Sequence, residues 1–408
     1  MQPFSLLVKP TSSLCNLDCT YCFYKRVTEV YPRSDYAQKM ALTTAENMIK
    51  KYLSFKFPAV SLCFQGGEPL LMGLDFYRAV IEFEKKYGFP GQAIGNSFQT
   101  NGVLIDKEWA SFFKQYNMLI GISLDGEADV HDHYRRSSKG EGSHGTVMQA
   151  ISTLSDAQVD FNILSMITSH SAKHIRETYT FFRKEGFNFL QFIPCLELIG
   201  GTEKIAEFSI TGDEFGEFLK TLFDLWYDNG YPDVSIRMFD NILLYLINNE
   251  KHSCSFFNSC NTYFLIEHNG DVYPCDFFVF NEWKLGNINE SDFRDMINSP
   301  KRHEFANMKS KVSNTCRECR YFKFCIGDCT RFRIFPHRSA VSVSYLCPGF
   351  KDFLAYTEKR FNELKKDVIK RREGQNVRKD IQVPENYPRN AQCPCGSGKK
   401  YKQCCGKK

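Results

Sequence analysis

Seventeen cysteines stand in this 408-residue chain, and most of them fall into bunches. Cys15, Cys19 and Cys22 are spaced C-x3-C-x2-C. Three thiolates on one tight loop can hold three irons of a 4Fe–4S cluster and leave the fourth iron open to a substrate or cofactor. A zinc site short of one ligand is the alternative at this point. Cys254, Cys260, Cys275, Cys316, Cys319, Cys325, Cys329 and Cys347 form a second set. Eight thiols divide into two complete four-thiolate clusters, or into zinc ribbons, and spacing alone does not choose the pairings. Cys393, Cys395, Cys404 and Cys405 suit a closed tetrahedral zinc, with Gly396 and Gly398 permitting the turn. Cys63 and Cys195 are left over among apolar neighbours, where buried inert thiols are expected. Clustered cysteines in a long chain point to metal centres in a reducing compartment rather than to disulfides.

The elements that must position these groups are legible over the first 240 residues. Apolar extended runs at Leu6–Pro10, Val60–Gln65, Ala93–Thr100, Leu119–Asp125, Phe161–Thr168 and Phe189–Leu196 alternate with helical patterns. That is the pattern of an α/β fold with a parallel sheet, and six units predict an open partial (β/α)6 barrel. Thr43 with Glu46 and Thr211 with Glu214 read as capping boxes that open two of the helices. Residues 241–349 are dense in cysteine and lack long helical periodicity, so they are expected to fold around metals. Residues 350–373 read as one helix, 374–389 as a linker with Gly374, Pro384 and Pro388, and 390–408 as a compact zinc tail.

Composition excludes several classes. With 43% hydrophobic, 15% aromatic and 24% charged residues the chain can bury a sizeable core and is not low-complexity. No apolar run reaches the ~18 residues that span a bilayer, so no membrane segment is expected. Lys9 is the only basic residue before Cys15, and Pro10 cuts the short apolar stretch. No signal peptide is expected, and a cytoplasmic location is. The net charge of +5 comes from the basic tail, so the body shows no overall bias towards nucleic acid.

The first loop, with Tyr21 before its last cysteine, resembles the signature of radical S-adenosylmethionine (radical SAM) enzymes. Gln65-Gly66-Gly67-Glu68-Pro69 follows the second expected strand, Gln99-Thr100-Asn101-Gly102 the third, and Ser123-Leu124-Asp125-Gly126 the fourth. The resemblance assigns Gly66, Gly67 and Glu68 to the methionyl amine of SAM, Ser123 and Arg135 to further SAM contacts, and Leu196 to adenine. The eight later cysteines resemble the SPASM extension, which carries two auxiliary 4Fe–4S clusters. By that pattern Cys254, Cys260, Cys275 and Cys329 hold the first, and Cys316, Cys319, Cys325 and Cys347 the second. The tail resembles the SEC-C zinc motif.

Over residues 1 to 372 the chain is most similar to anaerobic sulfatase-maturating enzymes. These oxidise a cysteine or serine of a sulfatase to Cα-formylglycine by 5′-deoxyadenosyl radical chemistry. The resemblance makes Asp276, after Cys275, the catalytic base, although a turn-capping aspartate is the plainer reading of that residue. It implies SAM, three 4Fe–4S clusters and one structural zinc as cofactors. The implied partners are an unfolded or nascent sulfatase polypeptide and a flavodoxin- or ferredoxin-type electron donor. A ribosome or export chaperone reached through the tail is a further expectation, weighed against a merely stabilising appendage. Two other functions stay open: a SPASM peptide maturase making thioether or carbon–carbon crosslinks, and a non-catalytic iron–sulfur scaffold or electron carrier.

Overall fold

The computed structural model describes residues 2–32, 38–199, 202, 204–335, 339, 341–379, 388–393, 399–403 and 406. Ten strands form one sheet. In chain order they are β1 (Ser5–Lys9), β2 (Ala59–Phe64), β3 (Ala93–Thr100), β4 (Leu119–Ser123), β5 (Phe161–Ile167), β6 (Phe189–Pro194), β7 (Ser235–Ile236), β8 (Tyr263–Glu267), β9 (Asp271–Tyr273) and β10 (Gly286–Asn287). β1 to β7 lie side by side and parallel, one strand more than the six units expected. Strand periodicity of two explains the layering: Leu6, Val8, Leu62, Phe64, Phe98, Ile120 and Ile122 are buried towards the helices. Small or polar residues such as Ser61, Gly95, Ser97 and Gly121 take the alternate positions. The six expected strands are all present, but β4 stops at Ser123 and β6 at Pro194, so Asp125 and Leu196 lie just past the strand ends.

The sheet continues where sequence reading stopped. β8 pairs in parallel with β1 from Ser5↔Tyr263 to Lys9↔Glu267, and β8, β9 and β10 then form an antiparallel ribbon. The cysteine-rich part is therefore an extension of the barrel sheet, and the expected boundary at 240/241 falls inside the helix Arg237–Asn248.

Two local expectations need correction. Thr43 and Glu46 form no capping box: the helix Leu42–Leu53 begins after Ala41 with no side-chain cap. Glu46 instead accepts from Lys86 (2.8 Å) and Tyr87 (2.7 Å), because an exposed cation and a phenol compete for the same carboxylate. The Thr211–Glu214 box does form, with Thr211 N–H donating to Glu214 Oε2 at 2.9 Å. The C-terminal helix runs from Cys347 to Lys379, longer at both ends than residues 350–373, so the start of the expected linker is helical. Gly349 lets it press on the helix Gly212–Tyr227; a Cβ there would sit 1.9 Å from the Gly212 carbonyl. Among the described residues no helix is long and apolar enough to cross a membrane.

Candidate active site and cluster-binding cysteines

The first cysteine loop leaves β1 and is pinned by backbone bonds to the Gly66–Glu68 turn. Gly67 N–H donates to Ser12 O (2.7 Å) and Glu68 N–H to Leu14 O (2.8 Å). Gly66 has φ +133°, and a Cβ on Gly67 would lie 1.9 Å from Leu14 O. The two glycines thus admit the backbone of the cysteine loop itself. Glu68 is fully buried and accepts from Leu70 N (2.9 Å), Thr100 Oγ1 (2.8 Å) and Asn101 N (2.9 Å). Burial pushes its carboxyl up to about 7. Its side chain ties the end of β3 to the turn.

Cys15, Cys19 and Cys22 come together on this loop, close enough for their charges to oppose one another. Burial pushes the Cys15 thiol up to about 12 and Cys19 to about 11. Enclosed thiols of this kind ionise when a bound metal supplies positive charge, which is the condition a cluster site fulfils.

Asp125 organises the residues expected around SAM. Its Oδ2 accepts from Arg135 Nε (2.9 Å) and from the Tyr21 hydroxyl; its Oδ1 accepts from Arg135 Nη2 (3.2 Å) and Met166 N (2.9 Å). Burial works against the charge, but the Arg135 guanidinium holds the carboxyl below its ordinary value. Ser123 ends β4 beside Leu164 of β5. Leu196 is buried, and its carbonyl accepts from Arg331 Nη2 at 2.7 Å, while Arg331 also pairs with Glu197. A side chain of the cysteine-rich part therefore reaches the end of β6.

The later cysteines group in space. Cys329 faces the charges of Cys254 and Cys260, and Cys275 that of Cys329. Cys316, Cys319, Cys325 and Cys347 line one cavity of about 90 Å³ with Phe322 and Phe350. In the tail only Cys393 is described, buried and bonded through its N–H to Lys399 O (2.7 Å); Cys395, Cys404 and Cys405 lie outside the described residues. Cys195 is buried as expected, whereas Cys63 is half-buried at an alternate position of β2.

Asp276 sits at the seam between β1 and β8. Tyr263 Oη donates to Asp276 Oδ1 at 3.3 Å and lies 3.0 Å from Cys275 Sγ. Lys9 Nζ is 3.9 Å from Asp276 Oδ2 and 4.0 Å from the centre of the Tyr24 ring. Tyr24 in turn donates to the buried Glu267. Lys9 is 1% exposed, and burial lowers its pKa against the pull of Asp276 and Glu267. Sequence reading missed Lys9, Tyr24, Asp125, Tyr263 and Glu267 as site residues. The available signal was a lone charge ending an apolar strand directly before the cysteine loop.

Comparison with known proteins agrees with this geometry. The Radical SAM superfamily profile matches residues 10–182, that of the iron–sulfur cluster-binding domain (SPASM) residues 254–320, and that of the SEC-C motif residues 389–407. Fold and cysteine sets thus define a radical SAM enzyme with an iron–sulfur cluster-binding SPASM extension. A cysteine-type anaerobic sulfatase-maturating enzyme of Clostridium perfringens (strain 13 / Type A) is 38% identical over 359 residues, covering 87% of this chain and 96% of that protein. A serine-type enzyme of Bacteroides thetaiotaomicron is 32% identical over 399 residues, covering 93% and 95%. The solved structure described as "Native anSMEcpe with bound AdoMet" superposes with TM-score 0.84 at 37% identity, over 89% of this chain and all of that one. The chain belongs to the anaerobic sulfatase-maturating enzymes.

Proposed function

We propose that this enzyme oxidises a cysteine or serine in an unfolded sulfatase polypeptide to Cα-formylglycine, with Asp276 as the proton acceptor. The observation that carries this reading is the position of Asp276. It is fixed at one oxygen by Tyr263, faces Lys9 at the other, and adjoins Cys275. Similarity supports the substrate class: relatives of both cysteine and serine type cover almost the whole chain, and one similar structure is described with AdoMet and a "Cp18Cys peptide".

Cys15, Cys19 and Cys22 would hold the radical-generating cluster. Cys254, Cys260, Cys275 and Cys329 would hold the first auxiliary cluster, and Cys316, Cys319, Cys325 and Cys347 the second. SAM would lie against Gly66–Glu68, Ser123, Arg135 and Leu196, with Tyr21 and Arg135 oriented through Asp125. The bound cofactors supply a hydrogen-abstracting radical and an electron acceptor. A carbon radical on the substrate makes the adjacent thiol or hydroxyl proton far more acidic, so an ordinary carboxylate suffices to remove it. Asp276 puts that acceptor beside the first auxiliary set, so proton and electron leave on the same side. Serine then gives the aldehyde directly, and cysteine a thioaldehyde that water converts.

The discriminating experiment is anaerobic incubation with SAM, reductant and paired peptides carrying Cys or Ser followed by x-Pro-x-Arg. An aldehyde-trapping reagent labels formylglycine and leaves a thioether or carbon–carbon crosslink unlabelled. Absence of 5′-deoxyadenosine would make the chain a scaffold. The electron donor is proposed to be a small flavodoxin or ferredoxin. The SEC-C-like tail is proposed to hold zinc and to dock on a ribosome or export chaperone. Truncation after Lys379, where the helix ends, should spare peptide activity and reduce sulfatase maturation in cells.

A further inference from the structure

Three cations are buried inside the cysteine-rich part without a carboxylate partner. Arg302 is 4% exposed, and Lys309 and Arg333 are fully buried. Among the described residues none of the three has an ion pair within 4 Å. Each donates mainly to backbone carbonyls. Arg302 reaches Tyr263 O (3.1 Å), Arg333 reaches Lys309 O and Lys311 O (both 2.8 Å), and Arg333 Nε is buried with no partner. Lys309 Nζ donates to Ser255 O (2.7 Å) and to Asp328 O.

These contacts lie chiefly against the Cys254, Cys260, Cys275 and Cys329 set, although Lys309 also faces Cys325 and Arg333 also faces Cys316. Ser255 follows Cys254, Asp328 precedes Cys329, and Arg302 spans Tyr263, whose hydroxyl lies 3.0 Å from Cys275 Sγ. The carbonyl that accepts from Lys309 ends a left-handed stretch: Ile326, Gly327 and Asp328 have φ of +52°, +77° and +64° in succession. A β-branched residue at positive φ is strained, and strain of this kind persists only where the surroundings over-determine it. Asp328 accepts from Ser344 Oγ at 2.7 Å and its charge reaches Arg333, but it forms no ion pair within 4 Å with any of the three cations. Buried charge is unfavourable unless it is balanced, and one carboxylate does not balance three cations, so further negative charge among them is stabilising. A cluster with four thiolates is dianionic when oxidised and trianionic when reduced, and would supply that negative charge if held by Cys254, Cys260, Cys275 and Cys329.

We propose that Lys309, assisted by Arg302 and Arg333, is a positioning charge that stabilises the reduced state of the first auxiliary cluster and so makes it the electron acceptor of the reaction. One electron leaves the substrate carbon radical, which is oxidised, and enters the cluster, which is reduced; the proton goes to Asp276. This rests on the proposed function, but its test needs no substrate.

The test is a potentiometric titration, followed by electron paramagnetic resonance, of the reconstituted full-length holoenzyme. Wild type is compared with Lys309→Gln, which keeps donors and removes the charge, and Lys309→Arg, which keeps the charge. The radical-site cluster is told apart by its response to added SAM. An auxiliary couple should move to more negative potential in Lys309→Gln and return towards wild type in Lys309→Arg. Iron lost from Lys309→Gln but retained in Lys309→Arg supports the same role. Unchanged auxiliary couples in a Lys309→Gln protein with wild-type iron overturn it. If both Lys309 variants lose iron, Arg302→Gln is titrated, and an unchanged couple there overturns it equally. Formylglycine formation is not measured, so this proposal and the sulfatase reading fail separately.

Discussion

Lys9 and Asp276 lie far apart in the chain, yet Lys9 Nζ is 3.9 Å from Asp276 Oδ2 because β8 pairs in register with β1. A cation on the barrel's first strand thereby faces an acid beside a cysteine of the cluster-binding extension. Tyr263 completes the setting from β8, and its contribution can be isolated. Tyr263→Phe removes a hydrogen bond to a carboxylate, worth about 1.5–3 kcal/mol. Formylglycine yield should fall roughly 10- to 100-fold if that bond fixes Asp276 for proton transfer, while 5′-deoxyadenosine release continues.

Gly67 offers a sharper steric test. A methyl group there would meet Leu14 O at 1.9 Å, and backbone at that distance cannot give way cheaply. Gly67→Ala should disrupt the Cys15–Cys22 loop and remove one cluster's worth of iron while the auxiliary absorbance stays. Iron analysis and visible spectra measure both quantities.

The parts legible in the sequence were those governed by short-range pattern. Alternating apolar runs marked β1 to β6, and cysteine spacing marked the Cys15–Cys22 loop and the later eight cysteines, which the fold brings near one another. Long-range pairing was not legible. β7, β9 and β10 have two or three residues each, too few for a periodic signal, and β8 was read as part of a loop-rich metal region. Glu46 had the spacing of a capping box and was drawn to Lys86 and Tyr87 by tertiary contact. Gly374 looked like a break, but the helix continues to Lys379. Lys9 looked like an isolated charge because its partner Asp276 lies far along the chain and is brought near only by the pairing of β8 with β1.

Asp125 should matter for stability as well as for the cofactor site. Asp125→Ala leaves the Arg135 guanidinium, 8% exposed, without its counter-charge. Breaking a buried pair from one side costs about 3–5 kcal/mol. The variant should unfold at lower denaturant and bind SAM more weakly, both measurable on the purified protein.

A pH dependence follows from Glu84, remote from the cysteine sets. Burial pushes its carboxyl up from 4.5 to about 7. Asn96 Nδ2 donates to Glu84 Oε2 at 3.0 Å, while Glu84 Oε1 and Asn96 Oδ1 are buried without a donor. A protonated Glu84 supplies one. The folded-state value lies above the unfolded one, so this stabilisation is present below about 4.5 and is lost as pH rises through about 7. Glu84→Gln, neutral at every pH, should remove up to about 3 kcal/mol of the stability change between pH 4.5 and 7, read from urea unfolding.

The most direct measurement of the central claim pairs two products from one reaction. Asp276→Asn is incubated anaerobically with SAM, reductant and a sulfatase-motif peptide, and 5′-deoxyadenosine and trapped aldehyde are quantified together. Loss of the proton acceptor alone should lower aldehyde by two or more orders of magnitude while 5′-deoxyadenosine is still released. Aldehyde at the wild-type ratio to 5′-deoxyadenosine would contradict the role assigned to Asp276.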